Sequence, residues 1–137
     1  MKILLAAALV AASAAHAQSP VTWKLATGYR AESFHTQNIA QFAREVEQAT
    51  QGRLKIEVAA NNSLVKLPEI PKAVAEGRVQ AGEAIMSGMG KDVPLAGADG
   101  VPFVVGSYEA VQRMWQLQRP GIEREFARMG LKPLYAV

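Results

Sequence analysis

Residues 54–86 read LKIEV, AANNSLVKL, PEIPKAVAEG and RVQAGEAIM in succession. Leu54, Ile56 and Val58 alternate with Lys55 and Glu57, the period of a strand with one covered face. Pro68 and Pro71 suit the first turn of a helix, where a missing N–H costs little. Leu67, Ile70 and Val74 then share one helical face, and Gly77 supplies the left-handed residue that ends the helix. Residues 79–86 are small and apolar and are expected to form a second strand, buried on both faces. A strand–helix–strand unit of this kind is parallel. Ligands of open parallel sheets bind beyond the carboxyl ends of the strands, so loops 59–66 and 87–92 form a candidate rim.

On the amino-terminal side, Val21, Trp23 and Leu25 alternate with Thr22, Lys24 and Ala26 as a first strand. The loop TGYRAES, residues 27–33, closes on Ser33 as a helix N-cap. Ile39, Phe42, Ala43, Val46 and Ala49 make the apolar stripe of the first helix, and Gly52 stops it. The charges on 54–58 suggest an edge strand, because they discourage pairing with another chain. On the carboxyl side, residues 91–100 are a Gly-, Pro- and Asp-rich connection. Pro102 within VPFVV, residues 101–105, points to a sheet edge or a packed turn. Ser107 caps a third helix with Glu109 in its first turn, and Val111, Met114 and Trp115 form its expected buried face. Pro120-Gly121 is expected to break that helix, so that Ile122, Phe126 and Met129 line a fourth one ended by Gly130. Leu134-Tyr135-Ala136-Val137 reads as a strand-like tail that stops abruptly, as in a truncated sequence. The expected order is βαβαβ, two helices and a strand. That order specifies an α/β fold with an open, mainly parallel sheet and helices on both faces.

Residues 1–17 stand apart. A short positive start, an apolar run and Ala15-His16-Ala17 make a cleavable secretory leader, so residues 18–137 form the mature domain. Without cysteine there is no disulfide and no thiolate chemistry, and export without cysteine fits the bacterial periplasm. The net charge is +3, with Lys and Arg spread along the chain among Glu residues. That pattern makes solvated helix faces rather than a nucleic-acid footprint.

No motif demands catalysis. In SGMGKD, residues 87–92, Ile85 stands where a phosphate loop needs Gly, and Asp92 where it needs Ser or Thr. Once the leader has gone, His35 is the one histidine, and no second His or Cys completes a metal site. It reads either as a surface or capping residue of the first helix or as a ligand contact. Glu83 and Asp99 are isolated carboxylates that read either as functional groups or, as is usual for such residues, as surface or capping groups. Asn61-Asn62-Ser63 reads as a turn, since these side chains bond nearby backbone. Tyr29 and Phe34 flank the first loop, where an aromatic either stacks on a small ligand or packs the loop. An exported α/β hydrolase would have only Ser87 and His35 as nucleophile and base.

FAREVEQATQGRLKIEV (42–58), ANNSL (60–64), PEIPKAVAEGRVQAGE (68–83), GVPFVV (100–105) and SYEAVQRMW (107–115) follow one another in an order and spacing of their own. In them the chain resembles the amino-terminal part of a TRAP-type, DctP-like periplasmic solute-binding receptor, from Trp23 to Val137. The resemblance implies lobe one of a two-lobed receptor more than twice this length, with the second lobe missing here. It implies capture of a small organic acid for sodium-coupled import, through small and large membrane permease subunits. It also implies no cofactor and no catalysis, and a receptor not itself embedded in the membrane after leader cleavage. Tyr29, Phe34, His35, Met86 and Ser87, in the loops after the first and third strands, are the implied cleft residues, with Phe103 as a further contact. An arginine that clamps the ligand carboxylate is implied in the second lobe, and Arg30 is no substitute for it. The remaining alternative is a remnant of such a receptor that does not bind.

Overall fold

The computed structural model describes residues 19–136. The expected leader, residues 1–17, lies outside them, as does Val137. Three parallel strands, β1 (Val21–Ala26), β2 (Leu54–Ala59) and β3 (Ala81–Gly82), form a sheet in the order β2-β1-β3. β1 pairs with β2 from Val21↔Leu54 to Ala26↔Ala59, and with β3 at Leu25↔Ala81 and Ala26↔Gly82. β2 therefore occupies an edge, as its Lys and Glu alternation implied.

Side-chain alternation along β1 sends neighbouring residues to opposite faces. Leu25 joins Ile56, Ala81 and the buried stripe of α1 (Phe34–Ala49), Ile39 and Ala43. Ala26 joins Val65, Val79 and the inner face of α2 (Ile70–Ala75), Ile70 and Ala73. Helices thus cover both faces of the sheet. A 3-10 turn, Leu67–Glu69, precedes α2 and takes Pro68, while Pro71 falls in the first turn of α2 itself. Gly77 follows α2 at φ 72°. No helix among the described residues is long and apolar enough to cross a membrane.

Four local expectations are corrected. First, the strand expected over 79–86 shrinks to Ala81–Gly82. Gln80 N–H still reaches Lys24 C=O at 3.2 Å, while Lys24 N–H goes to the Gln80 side-chain oxygen at 2.8 Å rather than to a backbone carbonyl. Burial alternates there, with Val79 and Ala81 inside and Gln80 and Gly82 outside, so the segment is not covered on both faces. A Cβ on Gly82 would overlap the Ile70 Cγ2 methyl, so α2 seats directly on this strand. Second, Pro120 does not break the third helix: α3 runs without interruption over Tyr108–Arg128. Ile122 and Phe126 are buried with Met89, Val93 and Ala96 of the two 3-10 turns Met86–Met89 and Pro94–Gly100. Burying each of these side chains stabilises by about 1.5–3 kcal/mol, which offsets the roughly 3 kcal/mol cost of an interior proline. Arg119 and Glu123 bridge the Pro120 turn at 2.7 Å. Gly121 lets the helix approach Leu95, whose Cδ1 would lie 2.5 Å from an added Cβ.

Third, the expected inner face of the first half of α3 is only partly covered. Met114 and Trp115 are half-buried, and Val111 is exposed. Fourth, neither apolar run near the carboxyl end forms a strand. Residues 101–105 make an open turn in which Val101, Phe103 and Val104 are exposed, and Pro102 has no N–H to give to a ladder. Residues 131–136 are irregular, and Tyr135 packs on Phe42 of α1 with ring centroids 5.0 Å apart.

Candidate functional site

The carboxyl ends of β1, β2 and β3 share one edge of the sheet, and the loops that leave it are tied together. Thr27 N–H continues the ladder to Ala59 C=O at 3.0 Å, and Glu83 N–H continues it on the other side to Ala26 C=O at 2.9 Å. Asn61 and Asn62, at φ 61° and 56°, turn the loop after β2 back onto the loop after β1. Asn61 N–H donates to Tyr29 C=O at 2.7 Å, and Asn62 N–H to Thr27 C=O at 3.2 Å. The Asn62 amide donates to Gly28 C=O at 3.2 Å and accepts from Leu67 N–H at 2.8 Å. Gly28 leaves no room for a side chain here, since its Cβ would stand 2.5 Å from Leu67 Cβ. The turn chemistry of Asn-Asn-Ser is thus used to hold the first loop in place.

That loop delivers an aromatic cluster. Ser33 Oγ accepts from Thr36 N–H at 3.2 Å, so α1 begins where its cap requires. Its first two residues are Phe34 and His35. The His35 ring stacks on Tyr29, with centroids 4.1 Å apart and planes 12° off parallel, and lies 3.9 Å from the Phe34 centroid. Tyr29 is half-buried and Phe34 is exposed.

Glu83 stands beneath the cluster, just beyond β3, with its side chain 15% exposed. Its Oε2 accepts from the buried Thr27 hydroxyl at 2.5 Å, while that same hydroxyl oxygen accepts from Tyr29 N–H at 3.1 Å. Its Oε1 lies 3.3 Å from His35 Nδ1, close enough for attraction. The nitrogen is buried and has no hydrogen bond, so the two groups are near without being aligned. Burial first, then the negative charges of Glu83 and Glu45, raise the Tyr135 hydroxyl above its ordinary value of 10.0. Tyr135 also meets Asn38 Oδ1 at 3.1 Å. Asn38, Gln41, Phe42, Glu45 and Tyr135 line an open hollow of about 220 Å³ that begins just under one turn along α1 from His35.

Of the residues expected in the cleft, Tyr29, Phe34 and His35 come together. Met86 packs against the other core, with Met89, Val93 and Ile122. Ser87 is exposed, and its Cβ lies 3.9 Å from where a Cβ on Gly100 would be. Phe103 projects from the open turn at φ 67°, an unusual backbone for an aromatic residue. The charged neighbour of His35 is Glu83, on its Nδ1 side. Arg30 pairs outward with Glu32 at 2.5 Å, both exposed. Sequence reading left Glu83 open between a functional and a surface or capping carboxylate, and passed over Thr27. The available signal was a carboxylate directly after a short apolar strand, a position that reaches the sheet's ligand edge.

No curated protein sequence matches the chain. Among solved structures, the Bordetella pertussis extracytoplasmic solute receptor DctP6, which binds pyroglutamic acid, is similar at 36% identity with a TM-score of 0.82. That similarity covers 85% of this chain and 39% of DctP6. A TRAP solute-binding protein from a marine metagenome, specific for pyroglutamate, shares 32% identity with a TM-score of 0.82, over 85% of this chain and 38% of its own. DctPAm from Advenella mimigardefordensis, in complex with galactonate, shares the fold alone, at 15% identity with a TM-score of 0.75 over 82% and 36% of the two chains. The chain thus spans about two fifths of the length of these receptors. The profile of DctP, described as bacterial extracellular solute-binding protein, family 7, matches residues 25–137. The chain belongs to this family of solute-binding receptors and corresponds to its amino-terminal part.

Proposed function

We propose that this chain forms the amino-terminal lobe of an extracytoplasmic receptor that captures a small organic acid for a TRAP-type secondary transporter. In this reading residues 1–17 direct export to the periplasm, and small and large permease subunits accept the closed, loaded receptor. Tyr29, Phe34 and His35 face the ligand on this reading, and Met86, Ser87 and Phe103 add further contacts. The observation that carries it is the aromatic cluster at the carboxyl edge of a parallel sheet, where ligands of such sheets bind. The identity to two pyroglutamate receptors makes pyroglutamate the first acid to test. Closure between two lobes removes water from a small anion and gives a membrane partner a new outer shape to recognise. Capture and release break no covalent bond, so the site needs donors, acceptors and stacking surfaces only.

The test joins residues 19–136 to the remainder of the DctP6 chain and follows the Tm with pyroglutamate in excess. A binding lobe raises the Tm by mass action. A chimera that melts cooperatively at one temperature with and without pyroglutamate and a panel of organic acids would overturn the proposal. A lobe that folds without binding is the second reading. It draws on the open apolar surface at Val101, Phe103 and Leu117, and the same measurement separates the two.

A further inference from the structure

We infer that Glu83 decides which organic acids this rim accepts. Its carboxylate takes an N–H or O–H donor from the ligand, so the lobe selects an acid that carries such a donor and turns away a plain dicarboxylate. The inference rests on the binding function proposed above.

Three observations carry it. First, the Glu83 backbone is held by its own ladder bond to Ala26, and the side chain is mostly buried, so the carboxylate is a fixed feature of the rim. Second, its partners leave it unsaturated. A carboxylate accepts at about four lone-pair positions and donates at none. Thr27 fills one of these, and His35 stands near without an aligned hydrogen bond. Among the described residues neither Lys nor Arg pairs with Glu83. Third, the neighbourhood is acidic: Glu83 and Glu45 both act on the Tyr135 hydroxyl, while Arg30 faces outward to Glu32.

A ligand carboxylate brought against Glu83 would meet a like charge. A ligand N–H or O–H would meet a preset acceptor, flanked by the Tyr29 and Phe34 rings that can cover the rest of a small ring or chain. The lobe therefore reads the donor end of the ligand, and the ligand's own carboxylate must be held by groups outside residues 19–136. His35 fits beside such a donor without displacement, because its Nδ1 is already close to Glu83 and lacks a bond of its own.

The experiment titrates the isotope-labelled chimera described above, in which the remainder of DctP6 supplies the second lobe, with pyroglutamate, N-methylpyroglutamate and glutarate, following the amide signals of residues 27–35 and 83 by NMR. Pyroglutamate offers an acid and a lactam N–H. Its N-methyl form lacks the donor, and glutarate replaces it with a second carboxylate. The expected result is an affinity for pyroglutamate at least about tenfold above that for either analogue, the size of one matched hydrogen bond to a charged group. In E83Q, which keeps the size and an acceptor oxygen for Thr27 but not the charge, the gap to glutarate should close to within about threefold. Equal binding of all three acids at these signals would overturn the inference and leave the proposed function standing. No response to any acid would overturn both. Were E83Q to lose its dispersed spectrum, the unsubstituted chimera would still decide the matter, since the comparison of the three acids needs no variant.

Discussion

At the residue scale, the candidate site depends on side chains whose partners are remote in sequence. Thr27 and Glu83 are 56 residues apart and meet at 2.5 Å. No local periodicity encodes that meeting; it follows from β1 and β3 lying side by side. The N-caps were legible, because Ser33 and Ser107 bond backbone three residues on, to Thr36 and Ala110. The Asn61-Asn62 turn was legible for the same reason, although its role in fixing Tyr29 was not. Tyr135 provides a pH test of the tail contact. Its hydroxyl is raised above 10.0, so the folded chain keeps the proton over a range in which the unfolded chain has released it. The tail contact is therefore complete below pH 10.0 and weakens as pH rises through the folded value. A tyrosinate absorbance titration should show a late component that Tyr135→Phe removes, and thermal melts of that variant should lose part of their alkaline dependence.

Elements were legible where a strong period coincided with local caps, as in β1, α1 and β2. They were misread where a single residue type was taken as decisive. Pro120 is a helix breaker by its own chemistry, but α3 continues because Ile122 and Phe126 on its far side share a core with Met89, Val93 and Ala96. Residues 79–86 have the composition of a buried strand, yet only Ala81–Gly82 form one, with single backbone bonds to β1 from Gln80 and Glu83 on either side. The seating of α2 on β3 is testable at Gly82. Gly82→Ala places a methyl into the Ile70 side chain and should destabilise by about 1–3 kcal/mol, measured by urea unfolding. A neutral Gly82→Ala would show that α2 and β3 are not in contact as described.

At the scale of the whole molecule, apolar surface is unevenly distributed. Val101, Phe103, Val104, Tyr108, Val111 and Leu117 are all exposed on the open turn and the first half of α3. Exposed apolar clusters of this kind attract partners or apolar dyes. The double variant Phe103→Ser, Leu117→Ser should lower dye fluorescence and self-association, while stability changes by no more than about 0.5 kcal/mol because neither side chain is buried. A loss of several degrees in Tm would instead place these residues in a core.

Alternation, caps and helix stops act between neighbours, and they were enough to define the α/β class and the edge position of β2. Packing alone determined that Glu83 and Thr27 meet beside His35, that Pro120 lies within one helix, and that residues 101–105 and 131–136 are not strands. These outcomes depend on which surfaces are already covered and on contacts between residues tens of positions apart, and a linear pattern holds neither.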